Sequence, residues 1–163
     1  MTVDWQVVSA VVITVSDRAF AGEYEDRSGP IVAAELAALG FEVGAVVVVA
    51  DGAAVGAALR EEVARGRALV LTTGGTGLAP RDLTPEQTRL VIDREVPGIA
   101  ERIRAAGAEK VPTAMLSRGI AGVADRTLII NLAGSTGAVR DGMTALGPVL
   151  MHAVEQLGGS DHG

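Results

Sequence analysis

The sequence predicts an α/β fold with a mostly parallel central sheet covered on both faces. Three observations predict it. Strand-like and helix-like stretches alternate along the chain. Several strand-like stretches are nearly all apolar, the pattern of strands buried on both faces. The polar and glycine-rich clusters fall just after those strands, where open parallel sheets bind ligands.

The elements follow in order. Residues 7–15 are rich in β-branched side chains and read as a buried strand ending at Ser16-Asp17-Arg18. After a polar segment, Pro30 opens a helix with Val32, Leu36 and Leu39 as its apolar stripe and Gly40 as its stop. Residues 41–49 form a second strand that ends at Asp51-Gly52. A helix with Val55, Leu59 and Val63 follows and stops at Gly66. Residues 68–72 are the third strand. Thr84-Pro85-Glu86-Gln87 has the form of a capping box, with Leu90, Val91 and Val96 behind it. Pro97 starts another helical piece with Ile99 and Ile103 on one side. Residues 113–118 are ambiguous. Residues 127–132 are a strand, and the last helix carries Val139, Met143, Leu146, Leu150, Val154 and Leu157 on one face. Residues 1–158 are expected to be one domain without linker or repeat, with residues 159–163 as a flexible tail.

Composition excludes several function classes. The 163 residues are 48% hydrophobic and carry a net charge of −6, which disfavours wholesale binding to nucleic acid or anionic membrane. There is no cysteine, so disulfides, thiolate zinc sites and thiol nucleophiles are absent, and a reducing cytoplasm fits. No cationic stretch precedes the first apolar run, so no secretory signal is expected, and that run is too short to span a bilayer. Aromatic residues are too scarce for extensive base stacking.

The chemistry concentrates in residues 69–86. An apolar strand runs into Thr73-Gly74-Gly75-Thr76-Gly77, then Arg81-Asp82, then a helix start. Glycines let a ligand approach the backbone, whose N–H groups can cradle phosphate oxygens. Arg81 offers a fork for oxyanions, and Asp82 can hold a divalent cation. If the strands are neighbours, Ser16, Asp17, Arg18, Asp51, Asn131 and the Gly134-Ser135-Thr136-Gly137 turn converge on the same crevice. Asp51 reads equally as a helix cap or a site residue, and Asp17 as a turn closer or a site residue. Asp82 is not needed as a cap, which favours function. The loop lacks the Lys-Ser/Thr of a P-loop, and Pro80 stands where a dinucleotide fingerprint needs glycine. His152 reads as packing or surface, and His162 lies in the tail; no histidine cluster offers a zinc site.

Thr72-Thr73-Gly74-Gly75-Thr76-Gly77, Pro80-Arg81-Asp82, Thr84-Pro85-Glu86 and Pro97-Gly98 resemble the MogA/MoaB family of molybdenum-cofactor biosynthesis. The likeness extends through Ser16-Asp17-Arg18, through 112–118 (Pro-Thr-Ala-Met-Leu-Ser-Arg) and through 128–132 (Leu-Ile-Ile-Asn-Leu). It implies a three-layer α/β/α fold, a homotrimer and molybdopterin adenylyltransferase activity with ATP and molybdopterin as substrates. It further implies that Asp51 and Asp82 are the catalytic acids and Mg²⁺ ligands. Substrate contacts would fall on Ser16, Asp17, Thr73, Gly74, Gly75, Thr76, Gly77, Arg81, Ser117, Gly134 and Ser135. Hand-over of the product to a molybdate-inserting enzyme belongs to the same expectation. Many members read Leu-Pro-Gly-Ser-Pro-Lys where this chain has Leu132-Ala133-Gly134-Ser135-Thr136-Gly137. That turn should be less rigid and lacks a cation, for which Arg140 is a candidate replacement. The alternatives are a non-catalytic pterin-binding MoaB-like protein, a different enzyme on the same domain type, and a trimeric scaffold.

Overall fold

The computed structural model describes residues 7–159, so the expected tail lies outside the described residues except for Gly159. In chain order the elements are β1 (Ser9–Val15), α1 (Asp17–Phe20), α2 (Ser28–Ala38), β2 (Glu42–Val43), β3 (Val47–Val49), α3 (Ala53–Ala64), β4 (Leu69–Thr73), α4 (Thr84–Arg89), β5 (Arg94–Glu95), α5 (Pro97–Lys110), β6 (Ala121–Ala124), β7 (Thr127–Leu132) and α6 (Thr136–Leu157). A 3-10 turn covers Pro112–Leu116. The strands form one sheet in the order β2-β1-β4-β7-β6-β5, with β3 also paired to β1. β1 runs parallel to β2, β3 and β4, and β4 runs parallel to β7. The β7-β6-β5 flank is antiparallel.

The apolar strands are sandwiched, and their period of two divides the core in half. Ala10 and Val12 of β1 join Leu69, Leu71, Leu128 and Ile130 under α2 and α6. Val11, Ile13 and Val15 join Val70 and Ile129 under α3. On α6, Val139, Met143, Leu146, Leu150 and Val154 are all buried. Each such side chain contributes about 1.5–3 kcal/mol on burial. A single helix cap contributes about 1 kcal/mol. Packing therefore fixes the position of α6, and its cap adjusts only the first turn.

Several expectations are corrected. The strand expected over 41–49 is two short strands, β2 against the start of β1 and β3 against its end, interrupted at 44–46. Leu39 is exposed rather than part of the α2 stripe. The helix behind Thr84 is only six residues long, and Leu90 is exposed. Thr84 is no cap: it is the first helical residue, and its hydroxyl donates to the Gly74 carbonyl at 3.0 Å. The β6–β7 hairpin was not foreseen. Its turn places Asp125 at φ 54°, where aspartate is tolerated.

Candidate active site

The carboxyl ends of β1, β3, β4 and β7 meet at one edge of the sheet. Strand register brings Thr14 beside Thr73, and Thr73 beside Leu132. The residues that follow each strand are therefore neighbours, as parallel pairing requires. Three segments meet there: 16–18, 51–52 and the 74–82 loop. The turn at 133–137 closes the fourth side.

Most of the loop's geometry depends on glycine. Gly74 has φ 101°, and a Cβ there would sit 2.3 Å from the Val15 carbonyl oxygen. Gly75 has φ 67°, and its Cβ would sit 2.3 Å from Thr84 Oγ1 and 2.9 Å from Asp51 Oδ1. A Cβ on Gly77 would approach Asp82 Oδ2 to 2.8 Å. The loop backbone is thus pressed onto both acids, which only glycine permits.

Asp51 resolves its two readings. The residue flanking α3 is Gly52, at φ 94°, and no side chain caps that helix. The Asp51 Oδ1 atom is buried with no hydrogen-bond partner. Burial pushes its carboxyl above the ordinary aspartate range, and the negative charges of Asp17 and Asp82 push it further. Asp17 also has a structural task, since its Oδ1 accepts from the Asp51 N–H at 2.9 Å. Asp82 closes its own loop by accepting from the Ala79 N–H at 3.1 Å. Arg81 is largely exposed, with one guanidinium nitrogen 3.9 Å from Asp17 Oδ2.

Other expected site residues hold the frame. Ser16 caps α1 by accepting from the Ala19 N–H at 3.2 Å. The Thr73 hydroxyl donates to the Ala133 carbonyl at 3.0 Å and lies 3.1 Å from Ser28 Oγ. Ser117 Oγ lies 3.2 Å from Thr76 Oγ1. Ser135 caps α6 by accepting from the Ala138 N–H at 3.1 Å. The cap and the Thr73 bond hold the 133–137 turn without the absent prolines. Asn131 does not face the crevice. It is buried, and its amide donates to Thr72 Oγ1 and Thr88 Oγ1 at 2.9 and 3.0 Å, tying α4 to the sheet.

Two cavities flank the turn at Gly134-Ser135, which lines both. The first, about 480 Å³, takes in Gly74–Gly77, Asp82 and Ser117, with apolar walls at Ile103, Val111 and Leu116. The second, about 410 Å³, is walled by Ser16, Arg18, Asp26, Arg27 and Thr73. Arg18 stacks on Tyr24 there, 5.3 Å from the ring centre. Sequence reasoning missed two arginines. Arg104 lines the first cavity and donates to the Gly119 carbonyl at 2.7 Å. Arg118 binds the loop from behind. Arg118 ends the 112–118 stretch that carries the family likeness, which gave it no role; Arg104 gave no signal, because it acts on a backbone carbonyl fifteen residues away.

Among the described residues, no group of three or more His, Asp or Glu side chains is gathered closely enough to hold a metal by itself. None of their helices is long and apolar enough to cross a membrane.

A glycine-lined, acid-bearing crevice at the carboxyl edge of a doubly covered α/β sheet is the candidate site of this chain. The chain belongs to the family described as the probable molybdopterin binding domain, whose model matches residues 11–152. It is 43% identical over 157 residues to the molybdenum cofactor biosynthesis bifunctional protein of Synechococcus elongatus, covering 96% of this chain and 49% of that protein. It therefore spans about half the length of that relative. It is 36% identical over 159 residues to the molybdopterin adenylyltransferase of Helicobacter pylori strain J99, covering 95% of this chain and 90% of that one. A solved structure of MogA superposes with a TM-score of 0.90 at 53% identity, covering 91% of this chain and 99% of that one. The mixed α/β fold with its central sheet matches that neighbour.

Proposed function

We propose that this chain is a molybdopterin adenylyltransferase, moving AMP from ATP to the terminal phosphate of molybdopterin and releasing pyrophosphate. The observation that carries the reading is Asp51. Its Oδ1 is buried and unpartnered beneath Gly75, and the charge of Asp82 reaches it. An orphaned carboxylate oxygen is expensive unless a cation meets it when substrate binds. The name of the Helicobacter pylori relative supports the same chemistry. Residues 1–158 act as one molybdopterin-binding unit in this reading. Homotrimeric assembly, a cytoplasmic location and hand-over to a molybdate-inserting enzyme follow from the family likeness.

The donor set fits Mg²⁺, which takes one or two carboxylates and fills its remaining positions with water and substrate phosphate. Asp51 and Asp82 would hold it, and when bound it neutralises phosphate charge. The attacking phosphate is largely anionic at neutral pH, so no general base is required. The barrier is repulsion between two polyanions, and positioning with electrostatic stabilisation must lower it. The loop N–H groups and Arg81 bind phosphate oxygens. The two cavities, meeting at Gly134-Ser135, receive the two substrates on either side of the reacting phosphates.

The test mixes purified protein with molybdopterin and Mg-ATP and looks for adenylyl-molybdopterin by chromatography. Wild type should form it. Asp82→Asn, with the fold retained, should lose turnover by roughly a hundredfold or more, the scale of removing one electrostatic stabiliser. Pterin binding without product in the wild type would move the chain to the binding-only class.

A further inference from the structure

The glycine loop has a direction as well as a shape. The Gly74 carbonyl accepts from the Thr84 hydroxyl at 3.0 Å and the Gly75 carbonyl from the Thr84 N–H at 3.1 Å. The Thr76 carbonyl accepts from the Arg118 N–H at 2.8 Å and the Gly77 carbonyl from Arg118 Nε at 2.9 Å. Four successive carbonyls are thus tied to only two residues. In a trans peptide, C=O and N–H point to opposite sides. The N–H groups of Gly75, Thr76, Gly77 and Leu78 are therefore turned away from Thr84 and Arg118. Gly74–Gly77 line the first cavity, whereas Thr84 and Arg118 do not. The carbonyls face the scaffold, and the donors are left for an anion.

Arg118 reaches further. Its Nη2 donates to the Asp82 carbonyl at 2.5 Å, and its guanidinium pairs with the Glu86 carboxylate. The side chain thereby fixes the peptide group after Gly77 and the backbone of the acid itself, while the Arg118 N–H holds the peptide group after Thr76. Glu86 is pulled below its ordinary carboxylate range chiefly by this hydrogen bond. A half-exposed ion pair alone contributes little to stability. The added ties to three loop carbonyls, two from the guanidinium and one from the Arg118 N–H, distinguish this one. The two guanidinium ties need a planar fork, which lysine lacks, whereas the N–H tie to Thr76 survives substitution.

We infer that Arg118, held by Glu86, is a positioning residue that sets the direction of the glycine loop's peptide groups and the placement of Asp82 for phosphoryl transfer. The inference rests on the adenylyltransferase reading. Arg118 touches no substrate. It acts by keeping the loop donors and Asp82 aimed before substrate arrives.

The test compares wild type with Arg118→Ala, Arg118→Lys and Glu86→Gln, using Arg89→Ala as control. Arg89 lies on α4 with Glu86 and pairs with the exposed Glu95. Two quantities are read on the folded protein: amide exchange across residues 75–82, and kcat, KM and half-saturating Mg²⁺ for adenylyl transfer. Arg118→Ala should speed exchange in that loop, raise the half-saturating Mg²⁺ and lower kcat by roughly 10- to 100-fold, the scale of a misplacement near 1 Å. Arg118→Lys should stay close to Arg118→Ala, Glu86→Gln should fall between it and wild type, and Arg89→Ala should match wild type. If Arg118→Ala does not fold, the Lys and Gln variants carry the same readouts. Unchanged loop exchange overturns the inference, and so does faster exchange with unchanged kcat and Mg²⁺ dependence. A wild type that forms no product overturns the adenylyltransferase reading and this inference with it. An active wild type with indifferent variants overturns this inference alone.

Discussion

The 74–82 loop and the 133–137 turn touch where a Cβ on Gly134 would lie 3.2 Å from Gly74 Cα, yet they are held in different ways. The first is held from outside, by Thr84 and Arg118, and carries Arg81 and Asp82. The second is held by Thr73 at Ala133 and by its own helix start, through the Ser135 cap, and carries no charge. Charge and backbone strain therefore sit on one wall of the crevice. Neutral helix-start donors sit on the other. A turn whose donors are set by a helix start can lose prolines and a lysine with less consequence than one that depends on distant side chains.

The two walls should respond unequally to an added methyl. Gly75→Ala puts a Cβ 2.3 Å from Thr84 Oγ1 on a backbone at φ 67°. Strain and the lost Thr84 geometry should destabilise by about 2–3 kcal/mol, lowering Tm by roughly 5–10 °C, with turnover lost alongside. A thermal melt with Tm within a degree of wild type would mean that the loop relaxes freely and is not held as described.

Asp51 supplies a pH-dependent contrast within the charged wall. Its folded pKa is raised, so the folded state holds that proton more tightly than the unfolded chain. Stability from this group is therefore greatest below the ordinary aspartate value, about 3.9, and falls as pH rises through the raised folded value. Without Mg²⁺, Asp51→Asn should be more stable than wild type at pH 7, and the gain should vanish at acid pH. Mg²⁺ should raise the Tm of wild type more than that of the variant. Parallel Tm curves for the two proteins across this range would remove the buried, unpartnered carboxylate from the account.

Much of the charged wall was legible because glycines and acids follow directly on apolar strands. Parallel pairing places strand ends together, so Asp17, Asp51, Asp82 and Gly134 could be gathered without coordinates. The parts that were not legible depend on tertiary partners. Thr84 has the sequence of a cap but spends its hydroxyl on Gly74, because the loop folds back over it. Asn131 looks like a crevice residue but braces two threonines inside the sheet. β6 reads Ala-Gly-Val-Ala and shows no alternation. Its small side chains are required because a Cβ on Gly122 would lie 2.6 Å from Ile92 Cδ1. Arg118 ends an ambiguous segment, and its targets lie about forty residues back in the chain.

The neutral wall should give the smallest effects, and of opposite sign at positions two residues apart. Ser135→Ala removes the oxygen that accepts from Ala138 N–H and should destabilise by about 1 kcal/mol. Gly137→Ala lies two residues further on, within the first turn of α6, where an added Cβ meets nothing within 4 Å and φ is not positive. Alanine there restricts the unfolded chain and suits the first turn of a helix, so stability should rise by about 0.4–1 kcal/mol. Gly137 also lines the first cavity, so the comparison is read on stability and not on transfer activity. Urea unfolding of the two variants at pH 7, with unchanged m, separates the signs. A destabilised Gly137→Ala would show that the late turn, like the early one, depends on glycine for its backbone, and the division between the two walls would fail at that point.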